Sequence, residues 1–132
     1  DTTDRAALPG VPVEPGHPHL RAAAAWLRAY WAGDDPSPAG VPLDLHGTAF
    51  QRAVWRALLE IPRGHTCSYG ELAARVGGGA VPRATGTAVG RNPVAILVPC
   101  HRVIGADGSL TGYAGGLPRK EHLLRHEGVL LV

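Results

Sequence analysis

The chain has no methionine among its 132 residues, not even at position 1, and a protein without an initiator reads as a trimmed or incomplete product. Cysteine is almost as scarce. Cys67 and Cys100 alone cannot make the disulfide framework of a small secreted domain. This points to a reducing, intracellular compartment: the cytoplasm of a prokaryote, or the nucleus of a eukaryote. No apolar run approaches the roughly 18 residues of a membrane span, and no signal peptide opens the chain. Metal chemistry finds no support either. There is no CxxC, and although His122 and His126 share a helical face, no third ligand lies near them in sequence. Solvated imidazoles are the better reading, and neither metal nor cofactor is expected. What is present suits a folded protein: 45% of residues are hydrophobic, enough for a modest core.

Net charge is +2, but unevenly spread. Residues 1–47 hold Arg5, Arg21 and Arg28 against six acids, whereas residues 48–132 hold ten Lys or Arg against five acids. The C-terminal part is therefore the one able to meet a polyanion.

Residues 1–19 are rich in proline, glycine and acids and read as an irregular tail. The alanine-rich stretch Leu20 to Trp31 predicts a helix closed by Gly33. Thr48 with Gln51 forms a capping box for a second helix, whose buried stripe is Phe50, Val54, Trp55, Leu58 and Leu59. Ser68 with Glu71 forms another, placing Tyr69 in the first turn of a short helix. Gly77, Gly78 and Gly79 make a turn, and Pro82 opens a helix over 82–90. Helix, glycine turn, helix is the pattern of a helix-turn-helix, though paired short helices also simply pack a core. Ala84, Gly86 and Ala88 give the second helix a small-residue face, suited to close approach by a nucleic-acid groove or a neighbouring helix. Residues 94–98 (VAILV) predict a buried strand stopped by Pro99. Residues 105–116 form a glycine-rich loop, and Pro118 opens a last helix closed by Gly128. Glu127 stands at that helix's C-terminus, where the dipole disfavours a carboxylate, and so calls for a local partner.

Cys100 is followed by His101, a nucleophile beside a base. An imidazole can take the thiol proton, but an inert buried cysteine is the commoner outcome of such a pair. The wider segment decides between them. Residues 96–103 (ILVPCHRV) resemble the active-site signature of the O6-alkylguanine-DNA alkyltransferases. The similarity runs without gaps from about Gly47 to Gly128, through SYGELA (68–73), PRATGTAVGRNP (82–93), GYAGG (112–116) and KEHLLRHEG (120–128).

The resemblance implies a mostly α fold with a short β element: a winged-helix-like alkyltransferase domain over 48–132 containing the helix-turn-helix. Complete members carry an N-terminal α/β lobe, some with a structural zinc. Here 1–47 would supply only a tail and linking helix, so that lobe is expected to be shortened or absent, and no comparable cysteine set exists. The implied activity is repair of O6-alkylguanine, and of O4-alkylthymine, by irreversible transfer of the alkyl group to Cys100. His101 would deprotonate Cys100 through a water, Glu127 would orient and balance His101, and Asn92 would brace the turn before the active site. Tyr69 would give its phenol proton, of pKa about 10, to the departing base. The carbonyls of Cys100 and Val103 and the N–H of Ala114 would hold the guanine, with Tyr113 and Lys120 also at substrate-binding positions. Arg83 would fill the gap left by the flipped base, with Ser68, Ala84, Thr85, Gly86 and Ala88 at the DNA.

The implied partner is double-stranded DNA entered through the minor groove by a monomer, with the lesion flipped out. The product would be a thioether, which offers water no carbonyl to attack, so each molecule would react once. Cys67 is expected to be a packed thiol. Two other readings compete. A lesion-binding alkyltransferase-like protein has Trp where this chain has Cys100, and a papain-type hydrolase has its His far along the chain from its Cys.

Overall fold

In the computed structural model of the chain, residues 18–129 are described, and positions 1–17 of the expected tail lie outside them. The first helix, α1, spans Pro18–Trp31, starting two residues earlier than the alanine run suggested. A proline at a helix start withholds only an N–H that would have no acceptor there. Trp26 and Tyr30, one turn apart, stack with centroids 5.4 Å apart and turn their rings inward.

Helix α2, Ala49–Leu59, begins at Thr48, whose capping box with Gln51 is present in both directions. Its inward face is Val54, Trp55, Ala57 and Leu58. The Trp55 indole donates to the Ala88 carbonyl at 2.9 Å, stitching α2 to a later helix. The chain then forms a two-residue strand, β1, Cys67–Ser68, which pairs in parallel with β2, Val103–Ile104. Ser68 also caps α3, Tyr69–Val76, through a complete capping box with Glu71. Gly77, Gly78 and Gly79 all adopt positive φ, at 73°, 62° and 78°, three successive left-handed residues that side chains would strain. Helix α4, Pro82–Gly90, follows that turn, and α3 and α4 together are the expected helix-turn-helix. The last helix, α5, spans Leu117–His126, with Glu127 as its C-cap and Gly128 in the left-handed conformation.

Residues 94–98 are not the strand the apolar run predicted. They form a tight turn with a single bridge between Ala95 and Val98, and Ile96 is held at φ 75°. Backbone bonds close locally, from Leu97 N–H to the Ala95 carbonyl and from Val98 N–H to the Val94 carbonyl, so the segment has no ladder to join. Leu97 and Val98 are nonetheless buried, so apolarity served burial without extension.

Two apolar clusters hold these pieces. One gathers Val54, Trp55 and Leu58 of α2 with Leu72 of α3, Val89 of α4, Cys67, Val98, Cys100 and Val103. The other places Trp26 and Tyr30 of α1 against Val41, Leu97 and Leu123. Each fully buried large side chain contributes on the order of 2 kcal/mol. Cys67 is a packed thiol in the first cluster, as expected, and its burial raises its pKa.

Candidate active site

Asn92, just after α4, sets the geometry. Its Nδ2 donates to the Val98 carbonyl at 2.7 Å, and its Oδ1 accepts from the Val94 N–H at 3.0 Å. One side chain thus spans the turn leading to Cys100. Pro99 then caps a single 3-10 turn, Cys100–Arg102, whose side chains part in two directions. Cys100 lines an open cleft of about 1200 Å³, while His101 and Arg102 turn to Glu127.

Glu127 is the hub. Its Oε2 accepts from His101 Nε2 at 2.6 Å, from the Tyr30 hydroxyl at 2.7 Å and from Arg102 Nη2 at 3.1 Å. Its Oε1 accepts from Arg102 Nε at 2.8 Å, and Arg102 Nη1 donates to the Ile61 carbonyl. The partner that the misplaced carboxylate called for is therefore His101, joined by Arg102 and Tyr30. Burial alone would raise the Glu127 pKa, but the bonds from His101 and Arg102 outweigh it and bring it down to about 2. A carboxylate can only accept, so His101 Nε2 carries the proton and Nδ1 keeps a lone pair. Nδ1 is buried without a hydrogen-bond partner among the described residues. Burial lowers the His101 pKa, with Glu127 acting against it, so the resting imidazole is a neutral base. The Cys100 thiol is likewise pushed up by burial, with Asn92 and Lys120 opposing, and rests protonated.

The cleft brings Cys100 together with Tyr69, Arg83, Gly86, Asn92, Tyr113 and Ala114. Tyr69, half-buried at the start of α3, donates to the Thr111 carbonyl at 3.3 Å. Burial, with Cys100 nearby, raises the Tyr113 pKa to about 12, so this phenol is protonated too. Val103 and Lys120 do not line the cleft. Lys120 is fully buried behind the glycine loop, where Nζ donates to the carbonyls of Val103 and Thr111. Desolvation lowers its pKa to about 8. It clamps the loop, and shares the Thr111 carbonyl with Tyr69.

On α4 the expected DNA face needs a correction. Thr85 and Ala88 are buried, at 0% and 3% exposure, and so cannot present side chains to a partner. Arg83, Ala84 and Thr87 are exposed. A Cβ added to Gly86 would stand 3.4 Å from Tyr69 Cδ1, an ordinary contact, so packing within the protein does not demand glycine there. Ser68 is committed to its cap: its Oγ accepts from the Glu71 N–H at 3.1 Å. His126, expected to be solvated, instead hydrogen-bonds the Tyr30 carbonyl at 2.9 Å. Among the described residues, no group of three or more His, Cys, Asp or Glu could hold a metal ion.

Tyr30, Arg102 and Arg63 were not singled out by the sequence. Arg102 was within reach, being next to His101 in the same motif. Tyr30 was not, since its partner lies 97 positions away.

Comparison with known proteins gives the same picture. The pattern described as "6-O-methylguanine DNA methyltransferase, DNA binding domain" matches residues 49–129. A methylated-DNA–protein-cysteine methyltransferase of Mycobacterium tuberculosis is 57% identical over 101 residues, 76% of this chain, and the chain spans 61% of that relative's length. The crystal structure of M. tuberculosis OGT in complex with DNA superposes with a TM-score of 0.77 at 55% identity, over 82% of this chain and 66% of that one. An S. pombe protein in complex with damaged DNA containing O6-carboxymethylguanine superposes with a TM-score of 0.55 at 34% identity, over 65% of this chain and 82% of that one.

Proposed function

Because this chain belongs to the 6-O-methylguanine DNA methyltransferase family, we propose that it repairs O6-alkylguanine in DNA by moving the alkyl group irreversibly onto Cys100. The observation that carries the reading is the orientation of His101. Glu127 holds Nε2–H, which leaves Nδ1 as a buried base on the residue that follows Cys100, whose thiol lines the cleft. The Cys100 proton passes through one water to Nδ1 as the sulfur attacks the alkyl carbon on O6. The S–C bond forms as the C–O6 bond breaks. Tyr69 turns from the Thr111 carbonyl and protonates the departing guanine, and the proton held by His101 returns to the tyrosinate through solvent. Glu127 balances the transient imidazolium.

The exposed N-terminal turn of α4, with Arg83 beside small residues, supports entry into the minor groove of duplex DNA. Arg83 fills the stack when the lesion is extruded into the cleft. Backbone contacts to phosphate make binding weakly dependent on sequence and sensitive to salt. The chain acts as a monomer, each molecule once.

Mass spectrometry of the protein after incubation with a duplex containing O6-methylguanine tests this. One methyl group per chain is expected on the Cys100 peptide, unmodified guanine in the DNA, and no uptake by Cys100→Ser. Tight binding without a mass change would make the protein a lesion binder, and repeated turnover would overturn the single-use mechanism.

A further inference from the structure

The segment matching the family pattern begins at residue 49, yet the hydrogen bonds that fix Glu127 do not all come from within it. Tyr30, near the end of α1, is 1% exposed, and its hydroxyl donates to the same oxygen, Oε2, that accepts from His101 Nε2. The tyrosine is itself held from three sides. Trp26 stacks on its ring, the Arg63 guanidinium lies 4.8 Å from the ring centroid, and His126 bonds its carbonyl. Arg63 in turn donates to the His126 carbonyl at 3.2 Å.

We propose that Tyr30 is a positioning residue for the relay, setting how strongly Glu127 draws the proton onto His101. The chemistry is competition for one oxygen. A carboxylate oxygen that accepts from a phenol has less electron density to offer an imidazolium. Removing the phenol leaves Oε2 to His101 and to one arm of Arg102, and the imidazolium becomes easier to form. The other charged and titratable groups around the dyad are Arg102 on its own turn and Lys120 on α5, with His126 and Arg63 held against Tyr30. None of them is altered by Tyr30→Phe, which keeps the ring and its stacking.

The link to alkyl transfer rests on the proposed function, so the first readout is one that does not need it. In DNA-free protein, the His101 ring is titrated by two-dimensional NMR, its signals assigned by their loss in His101→Gln. Tyr30→Phe is expected to raise its midpoint by roughly 0.5 to 1 unit. The second readout is the single-turnover transfer rate against pH. Its acid limb should move up by the same amount, so that the rate at a fixed pH on that limb falls about 3- to 10-fold. A thermal melt separates packing from positioning. If Tyr30→Phe melts lower while the His101 titration stays put, Tyr30 is only structural and the inference is wrong. If the wild type transfers no alkyl group but its His101 midpoint still responds to Tyr30→Phe, the inference stands and the proposed activity falls.

Discussion

Around Cys100 the protein buries His101, Arg102, Lys120 and Glu127, each no more than 8% exposed. On the outer face of α4, by contrast, exposed Arg83 stands beside small neutral residues such as Ala84 and Thr87. The first region is expensive to build. Four ionisable groups leave water, and each needs partners to offset the loss. The fold supplies them from Tyr30 of α1, Glu127 at the end of α5, and the carbonyls of Ile61, Val103 and Thr111. The second region costs little, because its polar group stays hydrated. The bonds to Glu127 are therefore made within the protein and legible without a partner. The α4 face acquires meaning only against a partner. Mutations should separate the two, with stability tracking the relay and duplex reactivity tracking the face.

The largest effect is expected at Glu127. Glu127→Gln leaves Arg102 buried without a counter-charge and presents an amide to donors, which should cost about 3 kcal/mol, as when one member of a buried pair is removed. Urea unfolding at pH 7 measures it, and transfer activity should be lost along with it. The pH dependence is specific. The folded value of about 2 lies below the unfolded carboxylate value of about 4.3. The ionised group thus adds stability above the unfolded value, and that contribution disappears as pH falls from there towards 2. The gap between wild type and Glu127→Gln should close over that window. A gap unchanged with pH would mean that the charge of Glu127 does not hold the relay together.

Arg83→Ala should do the reverse. An exposed side chain with no hydrogen-bond or ion-pair partner among the described residues shifts stability by less than about 0.5 kcal/mol. If Arg83 fills the gap as proposed, transfer from a duplex should slow about tenfold, the effect of losing roughly 1.4 kcal/mol of stabilisation. Transfer from the free O6-alkylguanine base, which needs no extrusion, should be unchanged. Equal loss on both substrates would place Arg83 in the chemistry and erase the contrast between the regions.

What the sequence disclosed follows from the range of each interaction. Both capping boxes were readable because their partners sit three residues apart, and both formed. Glu127 was readable as a misfit, a carboxylate at the wrong end of a helix dipole, and His101 and Arg102 resolve it. The VAILV run misled because apolarity reports burial and not extension. The deciding bonds came from the side chain of Asn92, which replaces the ladder a strand would need. Tyr30 left no local mark, since nothing in an alanine-rich helix distinguishes a core tyrosine from one bonded to a carboxylate across the fold. The small-residue face of α4 failed on geometry. Positions 84, 86 and 88 differ by two, and residues two apart on a helix point in different directions. Helical phase groups Thr85, Ala88 and Val89 inward instead.

Thr85 offers the smallest test and the sharpest one for that phase. Its hydroxyl is fully buried and has no hydrogen-bond partner among the described residues, whereas Thr87, exposed on the same helix, donates to the Arg83 carbonyl at 3.2 Å. A buried hydroxyl without a partner carries its desolvation cost uncompensated. Thr85→Val replaces it with a methyl of similar shape and leaves the residue β-branched, so helix propensity hardly changes. The substitution should stabilise the fold by about 1 kcal/mol, which raises the melting temperature by roughly 4 °C in a chain of this size. Duplex transfer should not change, because Thr85 is fully buried and does not line the cleft. Slower transfer from duplex without any gain in melting temperature would return Thr85 to the DNA face and rotate α4 from the phase described above.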